Sequence, residues 1–259
     1  MKKTLRSFFL IINYKTLIIT TLAVISSEIC YRVGLIAKFP DMLVGVAIVF
    51  PVVFSIGSAY NRRETALQRF SDFKGHAITL YYATRDWIAP EKQNQLAPQI
   101  RKMIGEMVTL IREMFTSSHR HEWEDNEKRI YSYFSDLSRM TLQMRELGVQ
   151  STEISRINQY ISKIIIALDN LKIIHSYRTP VTLRAYSKVF IYIFPIVYGP
   201  YFASTFKDFS ASLEYVMPIL YSFILVSLDN IQDHLEHPFD EVGEDDIRID
   251  EREITAHMN

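Results

Sequence analysis

Charged residues make up 22% of this 259-residue chain, yet four stretches contain none: Thr16–Ser27, Met42–Asn61, Val189–Phe206 and Tyr215–Leu228. A helix needs about 20 mainly apolar residues to cross a bilayer, so the second and third stretches reach that length directly. The first and fourth are shorter and span only if tilted or sheltered by neighbouring helices. This distribution predicts an all-α membrane protein with four transmembrane helices, rather than one large soluble domain.

The flanking charges refine that expectation. Glu28 and Arg32 lie one turn apart just beyond the first stretch, at the spacing of an interfacial ion pair. Lys2, Lys3 and Arg6 precede an apolar run, but Asn13, Tyr14 and Lys15 interrupt it and no clean cleavage site follows, so a removable signal segment is not expected. Lys15 lies before the first stretch, Arg62, Arg63, Arg69 and Lys74 follow the second, and Arg178, Arg184 and Lys188 precede the third. The other two connections hold only Arg32, Lys38 and Lys207. By the positive-inside rule both termini and the long middle segment are cytoplasmic, as in a cell inner membrane. The single Cys30 excludes an internal disulfide framework.

The expected organisation is a first transmembrane helix pair over 1–61, a cytoplasmic helical region over 62–187, a second pair over 188–228 and an acidic tail over 229–259. Three apolar series repeat with 3–4 spacing in the central region: Ile100, Met103, Met107, Leu110 and Met114; Ile130, Tyr133, Leu137, Met140, Met144 and Leu147; Ile154, Ile157, Ile161, Ile164, Leu168 and Leu171. Each places a seam on one helix face, as a packed bundle requires. Pro98 suits a first helical turn, Gly148 a stop, and Ser151 or Thr152 an N-cap. Only Gly75 interrupts Ser58–Trp87, which predicts that the second span continues as a helix beyond the membrane. The segments Pro90–Pro98 and His119–Asp125 read as loops. In the latter, His119, His121 and Glu122 lack the further fixed ligands a metal centre needs.

Within the second charge-free stretch, Val46, Phe50 and Phe54 recur every four residues and form one bulky stripe. On most membrane helices such a stripe is packing. Gly45, Ser55, Gly57 and Ser58 permit close helix approach, while Pro51, Pro195, Pro200 and Pro218 require neighbours that satisfy the freed carbonyls. Catalytic residues are not expected, because no HExxH, glycine-rich phosphate loop or nucleophile motif is present. Nucleic acid is excluded as a partner by the lack of a strong basic excess.

Three segments resemble the bestrophin family of channels. Phe54–Arg62 is similar to the family's aromatic, small-polar, Ala-Tyr and Arg pattern, although Arg63, Glu64 and Thr65 stand where many members carry Trp-Trp-Glu. Tyr177, Arg178, Thr179 and Pro180 resemble the family's Thr-Pro turn leading back into the membrane. Leu235, Glu236, His237, Pro238 and Phe239, followed by Asp245–Asp250, resemble its Glu-x-Pro-Phe and acidic tail.

The resemblance implies a homopentamer in membrane lipid with a pore on its symmetry axis. It also implies passage of small ions, either an anion such as chloride or a monovalent cation. Val46, Phe50 and Phe54 would then line the neck, with a cytoplasmic aperture near Thr152–Ile154, for which Thr152 and Ile154 are the candidates. In calcium-activated relatives acidic residues after Pro-Phe hold calcium, and Glu244, Asp245 and Asp246 occupy the corresponding area. The chemistry suits calcium, but eleven carboxylates between Asp229 and Glu253 equally suit a solvated run or basic partners. A membrane-anchored helical interaction or scaffold protein without ion flux is the alternative.

Overall fold

The computed structural model describes residues 13–38, 41–89, 95–178, 180–205, 215–242 and 245–258. Lys2, Lys3, Arg6, Pro90, Thr179 and Lys207, used above, lie outside them. Among the described residues the regular structure is entirely helical: α1 (Tyr14–Val33), α2 (Asp41–Asp86), α3 (Leu96–Thr116), α4 (Arg120–Glu146), α5 (Ser151–Ser176), α6 (Val181–Val197), α7 (Gly199–Thr205), α8 (Val216–Glu236) and α9 (Glu251–Thr255). They group into two compact units, Met1–Arg62 with Arg178–Glu236, and Arg63–Tyr177 with His237–Asn259. The 229–259 tail is thus divided, and its later part belongs with the central helices.

In the first unit, α1 starts at a capping box. The Asn13 side chain accepts from the backbone of Lys15 and Thr16, and Thr16 accepts in return from the Asn13 N–H. The helix stops at Gly34, whose φ of 74° is the left-handed conformation that glycine adopts without a Cβ penalty. Ile48 and Val52 of α2 pack with Ile191 of α6 and with Leu225 and Val226 of α8. Tyr198 and Phe202 form a second buried cluster, with partly buried Phe194, Tyr201, Tyr215 and Tyr221 packed against it. Two helical segments, Tyr14–Val33 and Val181–Ser204, are long and apolar enough by length and composition to cross a membrane. The other two charge-free stretches fall almost wholly inside α2 and α8.

The run Pro195–Pro200 does not continue one helix. Instead α6 ends at Val197, and α7 begins at Gly199 after a break at Tyr198. The break brings Gly199 against α1, where a Cβ would lie 3.1 Å from the Ser26 carbonyl carbon and 3.2 Å from its oxygen. Ser26 Oγ donates to the Ile196 carbonyl at 2.7 Å. Because the obstacle includes backbone, it cannot rotate away. Gly199→Ala is expected to destabilise the protein by about 2 kcal/mol through overpacking, visible as a lower Tm; an unchanged Tm would show that α1 yields.

In the second unit the three predicted seams are inner faces. Ile100, Met107, Leu110 and Met114 of α3, Ile130, Leu137, Met140 and Met144 of α4, and all six named residues of α5 are buried in one core with Phe70, Phe73 and Leu80 of α2. The predicted loop at His119–Asp125 is helical from Arg120 onward, with His121 Nδ1 3.1 Å from Asp125 Oδ2 one turn later. The N-cap of α5 is Gln150, so Ser151 and Thr152 lie inside the helix rather than capping it. Gly148, at φ 90°, ends the preceding helix region as expected.

The tail is not a solvated appendage. Phe239, Ile247, Ile249, Ile254 and Met258 enter the same core. At roughly 2 kcal/mol for each buried side chain they contribute on the order of 10 kcal/mol before ordering costs. Phe239 stacks on Phe115 at 4.8 Å between centroids. Lys74 pairs with Glu253 at 2.5 Å, and Tyr82 donates to the His257 carbonyl at 2.6 Å.

Candidate functional site

The first half of α2 has two faces. Ile48, Val52, Ser55 and Ala59 are buried inside the first unit. Val46, Phe50 and Phe54 lie on the opposite face, 47%, 56% and 62% exposed, alongside exposed Val49 and Val53. Phe50 and Phe54 touch one another, with centroids 5.8 Å apart and planes tilted by 40°. Within its own chain the stripe is therefore not core packing. Pro51, between the two faces, cannot donate to the carbonyl four residues earlier and locally loosens the helix ladder.

The two aperture candidates have different surroundings. Ile154 is 4% exposed within the core of the second unit, whereas Thr152, the second residue of α5, is exposed.

Of the three acidic tail candidates, Glu244 lies outside the described residues. Asp245 offers its backbone carbonyl to Arg63, whose Nε and Nη2 donate at 3.0 and 2.9 Å. Asp246 is half-buried beside Ile247. Among the described residues no three His, Cys, Asp or Glu side chains converge on a point that would hold a metal ion. Glu241 is instead gripped by a guanidinium: Arg112 Nε and Nη2 donate to its two carboxylate oxygens at 2.6 and 2.8 Å. That fork holds the Glu241 carboxyl below the ordinary glutamate value of 4.5.

Because the folded value is depressed, the contribution of this pair is fully present above the ordinary glutamate value. It is lost as pH falls through the folded one. Hydrogen exchange of the tail amides, corrected for intrinsic rate, is expected to accelerate as pH falls below the ordinary glutamate value. Arg112→Gln should remove that pH dependence. Acid-independent protection in the unaltered protein would show that apolar burial alone secures the tail.

Sequence reasoning missed a polar row at the far end of the first unit. Tyr192 of α6 donates to Asp229 of α8, Lys188 Nζ lies 3.0 Å from Asp233 Oδ1, and Arg184 Nη1 donates to Glu236 Oε2 at 3.1 Å. These three pairs fix the antiparallel register of α6 and α8. Lys15 joins Asp233 at 3.6 Å, and Asn13 donates to Asn230 at 2.8 Å. Glu236 is 1% exposed while Arg184 retains 23%. The signal was present as the series Pro218, Ser222, Leu225, Asp229, Gln232 and Glu236, a continuous 3–4 seam whose second half is polar. Composition windows count such residues as exposed.

This architecture is that of the bacterial bestrophin homologues. A variant of the bestrophin homologue from Klebsiella pneumoniae superposes with a TM-score of 0.77 at 15% identity, covering 94% of this chain and 95% of that one. Another structure of the Klebsiella pneumoniae homologue gives 0.73 at 15% identity, with 95% and 97% covered. No family profile matches the chain, and no curated protein matches it. The chain therefore has the fold of the bacterial bestrophin homologues over nearly its whole length.

Proposed function

We propose that this protein is a membrane ion channel in which identical subunits, five by the bestrophin resemblance, meet around an axis with the Val46–Phe50–Phe54 face of α2 turned inward. The observation that carries this reading is the exposure of that stripe: three bulky apolar side chains face away from their own subunit on a helix whose other face is core. Repeated around an axis they would form stacked rings about 6 Å apart per four-residue step.

An apolar neck controls ions by dewetting, and a small widening restores conduction. Ring edges turned toward the axis would favour anions electrostatically, while the resemblance itself is compatible with chloride or a monovalent cation. Thr152, the exposed member of the aperture pair, is the better side chain for a second constriction. The four helical stretches would lie in a cell inner membrane with both termini and the central bundle in the cytoplasm.

The test is purification in detergent followed by reconstitution. Subunit mass should be five times that of one chain, and liposomes should pass chloride or a monovalent cation under a gradient. A monomer, or tight vesicles at every voltage and pH, would overturn the proposal and favour a membrane-anchored scaffold.

A further inference from the structure

Three inner faces of the first unit become polar toward the same end. On α8 the buried seam passes from Leu225 to Asp229, Gln232 and Glu236; on α2 it passes from Val52 to Ser55; on α6 Ser187 precedes buried Ile191. The register set by Arg184 with Glu236 and Lys188 with Asp233 places Ser187 beside the Gln232 turn. Asp229, Gln232, Ser187 and Ser55 are each 0% exposed. Asp229 Oδ1, both amide atoms of Gln232, Glu236 Oε1, Ser187 Oγ and Ser55 Oγ have no hydrogen-bond partner within the chain.

We propose that ordered water occupies this interior, with at least two molecules anchored on Gln232. Buried polar groups are almost always satisfied, and a side chain with donor and acceptor both orphaned requires a ligand that is itself both. The spacing fits. Along α8, Asp229 and Gln232 are separated by about 4.5 Å of helical rise and Gln232 and Glu236 by about 6 Å. One water, with two hydrogen bonds of about 2.8 Å, spans the shorter step, and the longer one takes two.

A metal cation fits less well, because Asp233 and Glu236 are already met by Lys188, Lys15 and Arg184, and Asp229 accepts from the Tyr192 hydroxyl. Arg62 lies within electrostatic reach of Glu236 as well. What the row lacks is neutral donors, and three of its orphaned atoms, on Asp229, Gln232 and Glu236, only accept. Water supplies donors without adding charge, and Ser187 offers a hydroxyl from α6 for a further bond.

The experiment uses the full chain in detergent and reads the sign of a stability change. If Gln232 holds water, Gln232→Leu strands the bridging molecules and Asp229 Oδ1, and Tm falls by about 3 °C or more. If the amide is dry, the same change removes a cost and Tm stays level or rises, which overturns the proposal. A map of the unaltered protein that shows ordered solvent supplies the second measurement should Gln232→Leu fail to fold. Two peaks within hydrogen-bond distance of the Gln232 amide are expected, and a closed interior without them also overturns it.

Discussion

Arg184→Ala is expected to lower stability by about 3 kcal/mol. Glu236 is almost completely buried, and one of its oxygens accepts from Arg184 while the other has no protein partner. Removing the guanidinium therefore leaves a carboxylate with neither its ion pair nor access to bulk water. The value sits at the low end of the range for broken buried pairs for two reasons: Arg184 keeps partial exposure, and Arg62 is within electrostatic reach of Glu236. For a chain of this length the loss corresponds to a fall of roughly 6–12 °C in Tm. Pairing it with Glu236→Leu should recover most of the loss, because an apolar pair replaces a buried ionic one at little cost. A single variant that melts with the unaltered protein would show that Glu236 does not need its partner.

Phe50→Ala is expected to raise ion flux about tenfold, on the proposal that the stripe lines a neck. Its ring is more than half exposed, so truncation leaves no cavity in its own subunit, and Tm should change little. What changes is the constriction. Loss of a phenyl ring widens and wets the narrowest level, and a dewetting barrier lowered by about 1.4 kcal/mol gives a factor of ten. Chloride efflux from liposomes containing matched amounts of protein measures it. Unaltered flux with unaltered assembly would place Phe50 outside any conduit, and reduced assembly would assign the ring to packing between subunits.

Periodicity made the helical core legible. The Ile and Met series of α3, α4 and α5 needed only 3–4 spacing to mark their buried faces, because a bundle helix sorts its side chains by angle. The exposed stripe on α2 was legible for the same reason, although spacing could not say which side faced the interior.

The tail was harder to read. Its carboxylates between Asp240 and Glu253 dominated its composition, while Ile247, Ile249, Ile254 and Met258, which secure it, are interleaved with them. Arg112 and Lys74 neutralise Glu241 and Glu253 from helices more than a hundred residues away, a relation no local window contains. The buried polar row was missed because Asp229, Gln232 and Glu236 are residue types that lie on surfaces in most helices. Only the register between α6 and α8 encloses them.

Phe50 and Val52 belong to one rod yet point to opposite sides of it, and this makes α2 a lever as well as a wall. Trimming Val52 or repacking Ile191 leaves the stripe's chemistry untouched but lets the rod lean or turn by a few degrees. At the tip of a phenyl ring that is a shift of a fraction of an ångström, on the scale that separates a wet from a dry apolar constriction. On the proposed channel, tuning of the neck would therefore not require substitutions that touch what passes through it.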